Sequence, residues 1–101
     1  MDLKELEERM HEFVTSKGWY DETTPKEQSP RNLAISLAVE AAEILEHFQW
    51  QEDIEDREAL AGELADVALY LLQLSSISGI DLERAILDKL AENHNRTWDD
   101  S

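Results

Sequence analysis

The chain has 101 residues, with 24 Asp and Glu against 9 Lys and Arg, for a formal net charge of -15. This balance excludes a nucleic acid polymer as partner, because a long phosphate backbone is held by basic side chains and repelled by surplus carboxylates. Cysteine is absent, which excludes disulfides and thiolate metal centres. Charges interrupt the apolar stretches before the roughly 20 residues of a membrane span, and the N-terminus lacks an apolar signal segment, so a cytoplasmic protein without membrane attachment is expected.

A single domain over 1–101 is expected. At this length a fold buries roughly 60 to 70% of the surface its unfolded chain exposes. The resulting core is small, so burial of helix faces between identical subunits is expected to supplement it, as a homodimer or tetramer.

Asp2 with Glu5 reads as a capping box, and Leu3, Leu6, Met10, Phe13 and Val14 form a helical apolar stripe that Gly18 ends, giving a first helix over about 3–17. Residues 19–28 carry Pro25, mixed polar residues and two aromatics, the pattern of a loop with side chains to anchor. Ser29 followed by Pro30 opens a second helix that runs to about Phe48. After an acidic connector, Asp56 caps a third helix with Leu60, Leu64, Val67, Leu71 and Leu74, which Gly79 ends. Asp81 caps a fourth helix whose apolar side is Leu82, Ala85, Ile86 and Leu90; beyond Asn95 the tail is expected to fray, Trp98 excepted. No strand pattern or internal repeat competes, and the expected fold is all-α, an antiparallel four-helix bundle assembled into a homo-oligomer.

Two acidic pairs interrupt the apolar helices: Glu40-Ala41-Ala42-Glu43 and Glu63-Leu64-Ala65-Asp66. Acids three residues apart recur in the chain, so spacing alone selects nothing. Helix face does. At 100° per residue Glu40 shares a stripe with Leu33, Leu37, Ile44 and Phe48, whereas Glu5 and Glu8 fall opposite the apolar stripe of their helix. Antiparallel packing of the second and third helices brings the four carboxylates together. Ionised and unpaired there, they would repel one another and lose solvation; a hard divalent cation resolves both costs. Oxygen-only donors favour Mg2+, with Mn2+ as the alternative, and Mg2+ commonly takes its remaining ligands from a substrate's phosphates. Lys89, Asn93 and Arg96 lie on one side of the fourth helix, suited to gripping phosphate oxygens or, as the plainer reading, forming a solvated face that pairs with surplus acids.

The two acidic pairs resemble the signature of the all-α MazG-type nucleotide pyrophosphohydrolases. The likeness extends to Ser29-Pro30-Arg31-Asn32-Leu33, Phe48-Gln49-Trp50, Asp66-Val67-Ala68-Leu69-Tyr70, and Lys89 with Asn93 and Arg96, which resemble the dCTP pyrophosphatase branch over about 19–96. The resemblance implies hydrolysis of a nucleoside triphosphate between the α and β phosphates to a monophosphate and pyrophosphate. Glu40, Glu43, Glu63 and Asp66 would then be the catalytic metal ligands, and Lys89, Asn93 and Arg96 the phosphate grip. Trp19, Trp50 and Tyr70 would hold the base, since aromatic faces stack on nucleobases; the rival role for Trp19 is to seal the bundle end. Val39 and Ala42 depart from the resembling branch, which often has glycines there. His47, one turn beyond Glu43, either approaches the site or, as the plainer reading for a lone histidine, is a helix-end surface residue.

Two other readings compete. A di-iron carboxylate bundle needs two Glu-x-x-His motifs, and the chain offers one, Glu8-x-x-His11, on what reads as the outer side of the first helix. An acidic helical scaffold without catalysis would need neither the aromatics nor the Lys-Asn-Arg stripe.

Overall fold

A computed structural model describes residues 1–96; Trp98 lies outside them. The described residues form four helices, α1 (Leu3–Ser16), α2 (Pro30–Glu46), α3 (Arg57–Ile77) and α4 (Leu82–His94), and no strand. Each starts as the sequence dictates. Asp2 Oδ1, Ser29 Oγ, Asp56 Oδ1 and Asp81 Oδ1 accept hydrogen bonds from the backbone N–H three residues on, at 2.9, 3.1, 3.0 and 3.1 Å. These bonds satisfy amides that the first turn leaves without helical partners. Gly18 and Gly79 turn the chain after α1 and α3 at φ 74° and 71°, a backbone region that side chains with a Cβ avoid. α2 stops two residues before Phe48 because its last turn tightens: the Phe48 amide donates to the Leu45 carbonyl at 3.0 Å.

α3 is the central element, with α2 along one flank in the most extensive helix pairing and α1 on another. His47 meets Glu63 while Leu33 and Tyr70 border one hollow, so α2 and α3 run antiparallel. Met10 and Val14 of α1 are buried with Leu72 of α3, and Leu3, Trp19 and Leu82 close around them. α4 buries no residue. The Cα radius of gyration is 16.3 Å, against about 13 Å for a compact chain of this length. The four helices are those expected, but they do not close into a bundle within one chain.

α3 is long and apolar enough to cross a membrane by composition alone, more so than the interrupting charges suggested. Glu63 and Asp66 sit near its middle, where an acidic side chain in hydrocarbon costs roughly 2.5–3.5 kcal/mol. Here the same carboxylates face α2.

Candidate active site

The site begins at the α2–α3 seam. Glu40 and Glu43, one turn apart on α2, face Glu63 and Asp66 on α3, and the effect is registered at Glu40. Its carboxyl is held above the usual carboxylate range, first by its own desolvation and then by the negative charges of Glu43 and Asp66, a hydrogen bond with Glu43, and Glu63. The other three expected ligands are therefore within electrostatic reach of Glu40. Among the described residues no three carboxylate or imidazole groups stand ready to share one ion as placed. Closing the quartet on a cation takes rotation of side chains, which the three side-chain torsions of glutamate permit. The donor chemistry, oxygen only and anionic, fits Mg2+ or Mn2+.

His47 departs from the plainer of its two sequence readings and approaches the site. It is half-buried, and its Nε2 hydrogen-bonds Glu63 Oε2 at 2.5 Å across the seam, fixing one oxygen of that carboxylate. The backbone turn at the end of α2 aims the imidazole back toward α3. The helix-end position was right; the surface environment was not.

A cleft of about 460 Å³ opens beside the carboxylates, within the size range of small-molecule sites. Glu40 and Asp66 border it together with Trp19 and Tyr70. Trp19 packs on the Met10, Val14 and Leu72 cluster and also lines the cleft. Its ring meets Phe13 edge-on at 5.6 Å, and Lys26 Nζ lies 4.0 Å from its centroid. Val39 and Ala42 are exposed on α2 and line none of this cavity.

Sequence reasoning missed four lining residues, Arg9, Lys26, Gln28 and Gln73. Arg9 and Lys26 put positive charge beside an otherwise acidic region. Two of the four were detectable by helical spacing: Arg9 falls three residues after Leu6 and four before Phe13, and Gln73 falls seven after Asp66 and three after Tyr70.

Other expected site residues are not gathered here. Trp50 is 87% exposed, in a shallow hollow with His47 and Gln51. Lys89 is exposed on α4 and pairs with Glu92 at 3.4 Å; neither it nor Asn93 nor Arg96 lines the cleft. His11 also corrects its sequence reading. Rather than facing outward with Glu8, it turns toward α3, with Nδ1 at 2.6 Å from the Tyr20 hydroxyl and Nε2 at 2.6 Å from Ser76 Oγ. Both ring nitrogens are engaged, which removes the one histidine that a di-iron motif offered.

An all-α protein with a carboxylate quartet at a helix seam, bordering a cleft with aromatic walls, is thus defined. The chain belongs to the MazG-like family, whose pattern it matches over residues 35–100. It is 36% identical to dCTP pyrophosphatase 1 of Rattus norvegicus over 98 residues, covering 87% of this chain and 55% of the rat protein. A dATP/dGTP diphosphohydrolase of Salmonella phage PMBT28 is 35% identical over 81 residues, covering 80% of this chain and 24% of the phage protein. Among solved structures, a pyrophosphatase from Archaeoglobus fulgidus superposes with a TM-score of 0.76 at 35% identity, covering 90% of this chain and 87% of that one. The chain spans about half the length of the mammalian relatives it matches.

Proposed function

We propose that this chain is a Mg2+-dependent nucleoside triphosphate pyrophosphohydrolase that yields a monophosphate and pyrophosphate. Its preferred substrate is dCTP or a modified relative, and its role is nucleotide-pool cleaning. One observation carries the reading: Glu40 and Asp66 border the same cleft as Trp19 and Tyr70. Groups suited to a metal–triphosphate thus adjoin surfaces suited to a base. The activities named for the rat and phage relatives agree on the substrate class, and the rat protein's name supplies the cytosine preference.

Glu40, Glu43, Glu63 and Asp66 hold the ion, Mn2+ being the substitute that the same donors accept. When bound, Mg2+ neutralises the triphosphate and polarises the phosphorus under attack. Carboxylate oxygens not committed to the ion accept hydrogen bonds from the attacking water and hold it in line. Arg9 and Lys26 offset, at the cleft, the negative charge that would otherwise repel the substrate.

The reading includes a second copy of the chain. α4 exposes Leu87 and Leu90, and Trp50 stands in solvent. A homodimer, or a tetramer built from two, closes the four-helix bundle and brings Trp50 and the Lys89, Asn93 and Arg96 side of α4 to a cleft they do not reach within their own chain.

The test incubates the protein with Mg2+ and each common ribo- and deoxynucleoside triphosphate, resolving monophosphate, diphosphate, pyrophosphate and phosphate, with Glu40→Gln as control. Monophosphate plus pyrophosphate from dCTP, reduced at least about a hundredfold in the control, is expected. Diphosphate plus phosphate would overturn the cleavage position, and no turnover across the panel would overturn dCTP as substrate and leave a modified relative or the acidic scaffold.

A further inference from the structure

Gln73 is a polar side chain in a place that needs a reason for one. It sits on α3 beside Leu72, is 3% exposed, and lines the cleft that Glu40, Asp66 and Tyr70 also border. A buried amide costs free energy unless its donors and acceptor are used. Both side-chain hydrogen bonds of Gln73 leave from Nε2, to Gln28 Oε1 at 2.7 Å and to the Tyr20 hydroxyl at 3.3 Å.

The amide's orientation is fixed by an unambiguous acceptor at the end of the chain of bonds. Gln28 Nε2 donates to the Lys26 backbone carbonyl at 2.8 Å, and a carbonyl oxygen can only accept. Gln28 therefore presents Oε1, not its amino group, to Gln73. The end of Gln73 that meets it must be the amino end. The Tyr20 hydroxyl is itself held by His11, which Ser76 anchors to α3. With Nε2 committed twice, Oε1 is the acceptor that the Gln73 amide has left for a ligand.

Its position suits a base edge. Asp66, Tyr70 and Gln73 follow one another along one face of α3, and seven residues of helix span about 10 Å. A nucleotide with its phosphates at the carboxylates and its base against Tyr70 directs the base edge toward Gln73. Of the groups on that edge, an exocyclic amine projects furthest from the ring and donates, which is what a lone carbonyl acceptor requires. A keto oxygen in the same place would face Oε1 acceptor to acceptor.

Resting on the nucleotide reading above, we infer that Gln73 is a specificity-determining residue whose Oε1 accepts a hydrogen bond from the exocyclic amine of the base, selecting cytosine over uracil. Gln28 and Tyr20 are the positioning residues that turn it the right way.

The test measures binding of dCMP and dUMP by titration calorimetry, which needs no turnover, so failure of the hydrolysis reading and failure of this one are separately visible. The wild-type chain is expected to bind dCMP at least about tenfold more tightly, since a site built to hydrogen-bond one group leaves a polar atom unpaired with the analogue lacking it. Gln73→Met should bring that ratio close to one while changing dUMP binding little. A purely structural role would weaken both nucleotides alike and leave the ratio intact, and that result would overturn the inference. If Gln73→Met does not keep its helical circular dichroism, Gln28→Met is read in its place, because it removes the orienting partner and leaves Gln73. Equal binding of the two nucleotides by the wild type, or tighter binding of dUMP, overturns the inference without any variant.

Discussion

α1 and α4 both meet α3 near its C-terminal end, and both are amphipathic. α1 sends Met10 and Val14 into the core at 5% and 3% exposure, and its His11 reaches Ser76. α4 is anchored by Leu82 at its first residue and leaves Leu87 and Leu90 at 56% and 60%. The difference lies in what holds each helix. The loop after α1 folds back through Trp19 and Tyr20 and ties α1 to α3 with both apolar contact and a polar network. α4 is held by Leu82 and by its short link across Gly79. An apolar stripe guarantees that a helix will seek burial, not that its own chain will supply it.

Core truncation gives the largest expected contrast. Leu72→Ala, at the α1–α3 junction, should cost about 2–4 kcal/mol of unfolding free energy at every protein concentration. Leu90→Ala should cost little in dilute solution and more as concentration rises, since burial by a second copy depends on mass action. Urea unfolding at several concentrations, with light scattering for mass, separates the two. If Leu90→Ala costs as much as Leu72→Ala in a chain that scattering shows to be monomeric, α4 packs within its own chain and the contrast is broken.

The next contrast concerns the α2–α3 seam, which the bond between His47 and Glu63 spans. His47→Leu should weaken Mn2+ binding about tenfold, because Glu63 loses the partner that orients it, whereas His47→Gln keeps a donor and should recover most of the loss. Free Mn2+ is followed by its paramagnetic resonance signal, so no catalysis is needed. Equal affinity in all three proteins would mean that the bond between His47 and Glu63 does not prepare the carboxylate for an ion.

What the sequence made legible divides along the same line. Asp2, Ser29, Asp56 and Asp81 act on amides three residues away, and Gly18 and Gly79 act on their own backbone, so local pattern located every helix. Glu40 was assigned inward from its own helix face, and the seam bears that out. The misses are pairings across the fold. His11 meets Ser76 and His47 meets Glu63, and neither bond leaves a trace in local periodicity. Gln73 stood at a spacing that placed it on the face of Asp66 and Tyr70, but a glutamine there carries no sign of a role until Gln28 and Tyr20 are seen to hold it. For α4 the amphipathic stripe was read correctly, but a stripe does not say which chain covers it.

The smallest expected effect is also the sharpest on that question. Lys89 is exposed and its pair with Glu92 is a surface contact, a kind that contributes about 0–1 kcal/mol or less. Lys89→Ala should therefore leave the urea midpoint unchanged. If a second copy carries this face of α4 to the phosphates, KM for the triphosphate should nevertheless rise roughly fivefold, the equivalent of about 1 kcal/mol for one net hydrogen bond. The rise should be smaller for the monophosphate product, which lacks the β and γ oxygens that an ammonium would grip. Unchanged KM with unchanged stability would return Lys89 to the solvated face its ion pair suggests, and α4 would then be an oligomerisation helix with no hand in the chemistry. A change in both would mean that Lys89 supports the helix itself, since an ammonium reaching only for phosphate has no means of altering the unfolding of a chain to which no phosphate is bound.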